Sequence, residues 1–199
     1  TGKKVHILGY GFKSAEAINA LCRPVAEARH ENSLKKIKVL QKLGYKITEA
    51  DVLHYAHKYI FKKHIVRYLF ESGQEDKIFG NVYHKIFHGG GPGDFGIKYV
   101  NAVGAVKVIT ESGGKAVPAH PGQQNNFEIL PELKKAGLWG IELKHPVHNA
   151  YWQKIVLQAA ADYGLFCTGG SDCHGIYSEK YHAVGSNLCP AAAAEELLK

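Results

Sequence analysis

The stretch "CTGGSDCHG", residues 167–175, carries the reading of this chain. The apolar "YGLF" before it reads as a strand, two glycines close that strand, and Asp172 and His174 follow two residues apart. A tight turn with incidental polar residues accounts for the pattern. A pair of metal ligands at the mouth of a barrel accounts for it equally well. If the strand ran on through them, alternation would put Asp172 and His174 on one face and Cys173 on the other.

The residues upstream favour the second account. "KAVPAHPG" reads as a strand ending in His120, "FEILPELKKAG" as a helix, and "LWGIEL" as a strand ending near His145 and His148. "AYWQKIVLQAAADYG" is then a helix leading into the strand before Asp172. Strand and helix alternating in this way predict parallel βα repeats. In βα barrels the loops after the strands converge on the active-site face, and each predicted strand here carries histidine at or just after its end. Carboxylate with imidazole suits zinc, manganese or iron.

Nearer the start, "KKVHILGYGF" reads as a strand holding His6 among apolar neighbours. Residues 14–43 turn helical in spacing, with Pro24 expected to split or kink the run. "TEAD" (Thr48–Asp51) reads as a capping box, and helical spacing continues through "HIVRYLFESG" and "DKIFGNVYHKIF" to the loop "HGGGPGDFG". Residues 100–112 are expected to form a helix closed by Gly113 and Gly114. The loop follows no strand and lacks a lysine-serine ending, so it is not read as a nucleotide loop.

The chain has 199 residues, 45% hydrophobic and 22% charged, ordinary for one globular core with an appendage. Residues 13–100 hold 15 Lys/Arg against 9 Asp/Glu, and most of the formal charge of +7 sits there. Such a segment suits an anionic ligand or a solvated helical surface. Four cysteines without a CxxC pair suggest reduced thiols and a cytoplasmic setting. No apolar run is long enough for a membrane helix. A first strand that begins almost at Thr1, in a chain without methionine, suggests a fragment.

"AVPAHPG" followed by "GGSDCHG", with "VHILGYGF" upstream, resembles the PHP (polymerase and histidinol phosphatase) family of metal-dependent phosphoesterases, in its stand-alone bacterial branch. The resemblance implies an α/β fold: a distorted βα barrel of the PHP type, incomplete at its N-terminus and interrupted by a helical insertion. The barrel part would comprise residues 1–12 and 101–199, and the insertion residues 13–100. It implies His6, His120, Asp172 and His174 as metal ligands, with Asp172 and His174 in the catalytic group. It implies Lys62, His64 and His148 as substrate contacts, the first two at the phosphate, with His148, and more loosely His145, matching a histidine after the third strand. Lysine at 62, where the branch often has arginine, keeps the charge but loses bidentate geometry. PHP proteins open with an HxH strand, then further acidic and histidine ligands. This chain contains none of that portion.

The expected activity is hydrolysis of a nucleotide-type phosphomonoester or short oligonucleotide by a metal-bound hydroxide, using two or three divalent ions of manganese, iron or zinc. The partner would be a phosphorylated small molecule or short nucleic acid, without membrane or stable protein partners. Two rivals remain. One is a metal-dependent amidohydrolase on a related barrel, which would attack carbon. The other is a non-catalytic, basic nucleic-acid-binding remnant. His54 and His57 have helical ligand spacing but no acidic or cysteine partner nearby, which favours surface or packing roles.

Overall fold

A computed structural model describes residues 4–199. Its strands are β1 (Ile7–Tyr10), β2 (Lys115–Pro118), β3 (Gly140–Lys144) and β4 (Phe166–Gly169). The helices are α1 (Glu16–Lys42), α2 (Glu49–Leu53), α3 (Lys62–Glu71), α4 (Ala102–Glu111), α5 (Pro121–Gln124), α6 (Leu130–Lys135), α7 (Ala150–Tyr163) and α8 (Ala191–Leu197). The chain divides into two compact units: residues up to Leu21 with Val100–Lys199, and Cys22–Tyr99. The divisions at 21/22 and 99/100 compare with 12/13 and 100/101 read from sequence.

In the first unit, β3, α7 and β4 form a βαβ crossover, and β3 pairs with β4 in parallel. Asn149 caps α7 by accepting the Trp152 N–H, and Gly164 closes the helix in the left-handed conformation. Trp139 joins the pieces, donating its N–H to Ala116 O (3.1 Å) and accepting from Phe166 N–H (3.1 Å). Leu133, Leu138, Ile141, Val106 and Val156 fill the core beneath these strands. Each side chain of that size, once fully buried, contributes about 1.5–3 kcal/mol.

β1 departs from the parallel plan, because it pairs antiparallel with β2, Ile7 opposite Pro118 and Tyr10 opposite Lys115. Alternation of apolar residues specifies a strand but not the direction of its partner. The Ala119 N–H donates to His6 O (2.9 Å), extending the ladder and setting His6 beside the end of β2. Among the described residues the four strands form two two-stranded sheets. The mixed α/β class is thus present.

The second unit has its own core of Leu40, Ile60, Ile65, Leu69 and Phe87. Of the split or kink expected at Pro24, the split is absent, since α1 runs through it as one helix. A proline removes one backbone donor, and the buried residues of α1 (Ser33, Lys36, Ile37, Leu40) all lie beyond it. The capping box forms as read: Asp51 N–H donates to Thr48 Oγ1 and Thr48 N–H to Asp51 Oδ2. Val82–Ile86 makes a wide turn, with Phe87 N–H bonded to Val82 O.

Candidate functional site at the strand ends

His120 lies just beyond β2, His145 and His148 just beyond β3, and Asp172 and His174 beyond β4. His6 precedes β1, beside His120. The expected alternation does not deliver Asp172 and His174, because β4 stops at Gly169. A loop carries them instead, and Asp172 stands at φ 50°. His120 likewise has φ 32°. A residue with a Cβ meets steric strain in this region, on the order of 1–3 kcal/mol, which packed surroundings must sustain.

The two glycines at the end of β4, Gly169 as its last residue and Gly170 beyond it, have a physical reason. A Cβ on Gly169 would lie 2.8 Å from Leu188 O and from Lys144 Cβ, and one on Gly170 would lie 3.2 Å from Glu142 Oε1. The glycine of "AHPG" is constrained in the same way. A Cβ on Gly122 would meet the Trp152 ring at 2.7 Å and His148 Cδ2 at 3.0 Å.

Glu142 is a residue that sequence reasoning passed over. It is buried within β3, and its Oε2 accepts the His120 N–H at 2.6 Å. Burial pushes its carboxyl up to about 7; Asp172 adds to the rise and the His120 N–H opposes it. A lone carboxylate inside the apolar run "LWGIEL" was the available signal. It holds the backbone of His120 in its strained conformation from below.

Each imidazole has its own wiring. His6 Nδ1 and His120 Nε2 share a hydrogen bond of 3.2 Å, while His120 Nδ1 is buried without a partner. Burial, then His6 and His145, push the pKa of His120 down to about 4, with Asp172 opposing. At neutral pH it is therefore the neutral ring that ligation requires. His174 donates Nδ1–H to Asp172 O (2.7 Å), so its Nε2 carries the free lone pair. His148 spends both nitrogens on backbone: Nε2 accepts the Gly122 N–H (3.1 Å) and Nδ1 donates to Leu143 O (3.0 Å). His145 Nε2 is buried, without a hydrogen bond, 3.5 Å from Asp172 Oδ2.

This donor chemistry fits divalent ions. His120 is a neutral imidazole with one unpartnered nitrogen, the Asp172 carboxylate acts on it, and strained backbone presents both residues. The side chains are apposed in pairs, His6 against His120 and His145 against Asp172. Among the described residues no three His, Cys, Asp or Glu side chains close on a single point.

Lys62 and His64 belong to the second unit, at the start of α3. The Lys62 ammonium is 2.6 Å from His88 Nε2 and 4.5 Å from the centre of the Tyr83 ring. His64 accepts the Phe61 N–H at Nδ1 (3.1 Å) and stacks on the Phe61 ring, with burial lowering its pKa. The cysteines are free, and no described helix is long and apolar enough to cross a membrane.

The phosphoribosyl 1,2-cyclic phosphate 1,2-diphosphodiesterase of Eggerthella lenta is 39% identical over 184 residues, covering 91% of this chain and 70% of that protein. The chain belongs to the family of that phosphoesterase. A second relative in sequence, the 3',5'-nucleoside bisphosphate phosphatase of Chromobacterium violaceum, is 29% identical over 178 residues, covering 85% of this chain and 62% of that protein. A solved structure from Bifidobacterium adolescentis, assigned as a metal-dependent phosphoesterase, matches with a TM-score of 0.84 at 23% identity, over 98% of this chain and 70% of that one. An amidohydrolase from Chromobacterium violaceum, solved with bound sulfate and no metal, matches with a TM-score of 0.75 at 25% identity, over 99% of this chain and 72% of that one. No family profile matches the chain. Its membership of the phosphoesterase family rests on the Eggerthella relative.

Proposed function

We propose that this chain carries strand-end metal ligands of a metal-dependent phosphoesterase of the PHP type, acting on a small nucleotide-type or ribose-phosphate ester. The observation that carries the reading is His120: a buried imidazole at strained backbone, one nitrogen without a partner, among His6, His145 and Asp172. Family membership supplies the reaction class. The finer fold, a distorted barrel interrupted by the insertion, draws support from the likeness to the Bifidobacterium structure.

Within this reading His6, His120, Asp172 and His174 hold two or three divalent ions, completed by further donors. Such ions, when bound, activate water and offset charge on the phosphoryl group. The chain's own work is to fix the ligands. Glu142 pins the His120 backbone, and His174 hydrogen-bonds the Asp172 carbonyl, which leaves its Nε2 free. His148 ties the "AHPG" turn to β3 rather than meeting substrate, because backbone occupies both its nitrogens. Lys62 supplies a cation for substrate phosphate from the insertion. Sulfate in the Chromobacterium structure supports an anion-binding site in this fold.

The test is hydrolysis of a panel containing a cyclic ribose phosphate, a nucleoside bisphosphate and a dinucleotide, before and after chelation. Turnover should require a divalent ion and return when one is restored. Undiminished turnover after exhaustive chelation overturns the proposal. The name of the Chromobacterium amidohydrolase favours one rival. Turnover of amides with no turnover of phosphoesters would select that reading.

A further inference from the structure

His145 has no assigned role, yet its surroundings specify one. The Val147 N–H donates to its Nδ1 at 3.2 Å, so that nitrogen presents a lone pair. In the neutral ring the proton must then sit on Nε2. Nε2 is buried, and the Asp172 carboxylate stands 3.5 Å from it at Oδ2, slightly long for a formed hydrogen bond. This wiring is opposite to that of His174, whose Nδ1 donates and whose Nε2 is bare. The two histidines therefore face the same aspartate in complementary states.

Asp172 needs such a partner. It is exposed, on a loop at positive φ; its carboxylate meets His145 at Oδ2 and His174 at Oδ1 (3.6 Å), with His120 and Glu142 also within its electrostatic reach. The Nδ1 proton of His174 is already committed to the Asp172 carbonyl. A buried N–H is left to orient the carboxylate, and outer hydrogen bonds of this kind tune metal ligands.

We propose that His145 is a positioning residue: its Nε2–H donates to Oδ2 of Asp172 and sets that carboxylate toward the ion, without ligating it. The proposal rests on the reading of Asp172 as a ligand. A modest closure of the 3.5 Å gap completes the bond, as polar contacts in empty sites often tighten when occupied. His145 would thus be a donor throughout the cycle and never a ligand.

Three measurements test it. Long-range proton–nitrogen NMR on the metal-free, unaltered protein should show His145 protonated at Nε2, and an Nδ1–H tautomer overturns the proposal. Manganese titration of His145→Phe, which keeps a ring but loses the donor, should weaken binding about tenfold to a hundredfold at unchanged stoichiometry. His145→Gln, whose amide donates at similar reach, should recover most of that affinity. Loss of one ion per chain in both variants would make His145 a direct ligand and overturn the proposal. So would affinities equal to that of the unaltered protein. If His145→Phe fails to fold, the tautomer and the glutamine variant still decide. No manganese binding by the unaltered protein would instead defeat the metal reading of the site, and the tautomer would still decide whether His145 is wired as a donor.

Discussion

The two units bury polar groups differently. In the second unit, Ser33 donates to Arg29 O, Lys36 donates to Gly93 O, and His64 accepts the Phe61 N–H. In the first, His120 Nδ1, His145 Nε2 and Thr168 Oγ1 are buried without partners. Leaving a buried polar atom unpaired costs about 1–3 kcal/mol, so an unpaired group usually answers to something not yet bound. Two of the three lie at the strand ends. The buried groups named in the second unit are satisfied within it, while the first unit leaves three buried polar atoms unpaired.

The largest expected effect breaks this contrast at its sharpest point. Asp172→Asn is nearly isosteric and keeps a side chain tolerated at positive φ, but it removes the anionic oxygen that divalent ions prefer. Metal content should fall, and turnover should drop by more than about a hundredfold, the upper end for outer-shell partners. The thermal midpoint of the metal-free protein should hardly move. If Asp172 only shapes a turn, asparagine serves as well, and wild-type metal content with wild-type turnover would place the unpaired atoms outside any metal site.

A smaller effect is expected from the second unit. Lys62→Ala should raise KM for an anionic phosphoester about tenfold and leave metal stoichiometry and kcat close to wild type, because a phosphate contact acts on binding. Loss of metal would move Lys62 into the ligand group. No change in KM would leave it as a structural partner of His88 and Tyr83.

Part of the fold and the candidate residues were visible in the sequence, and the rest was hidden for identifiable reasons. Strand, helix, strand over residues 140–169 was legible because the short apolar runs "LWGIEL" and "YGLF" flank the longer run "AYWQKIVLQAAADYG" in the order of a βα repeat. The direction of β1 was not, since an isolated alternating run carries no information on its partner. Asp172 and His174 were identified by type, but their presentation depends on a positive φ rather than on alternation. Glu142 was passed over because a run of strand formers hid one carboxylate. The three different imidazole states of His145, His148 and His174 depend on backbone groups at Val147, Gly122, Leu143 and Asp172, which no spacing rule places.

The smallest effect concerns a charge that the second unit already satisfies. Lys36 is buried, donates to Gly93 O, and sits 5.0 and 4.9 Å from the ring centres of Phe87 and Phe95. Burial, then Lys62, push its pKa down to about 8 from 10.5, with Asp94 opposing. Between those two values the unfolded chain binds more protons than the native one, so this group adds stability as pH rises from about 8 toward 10.5. Lys36→Met keeps the stem and removes the titration. The thermal midpoint of the unaltered protein should therefore gain on that of Lys36→Met by a few degrees from pH 8 to 10, about 2–4 °C per kcal/mol in a chain of this size. Parallel curves would mean that Lys36 stays protonated through this range, held by an anion or by solvent. If Lys36→Met also raised KM, Lys36 would join Lys62 as a phosphate contact, and the second unit too would hold polar groups that wait for a ligand.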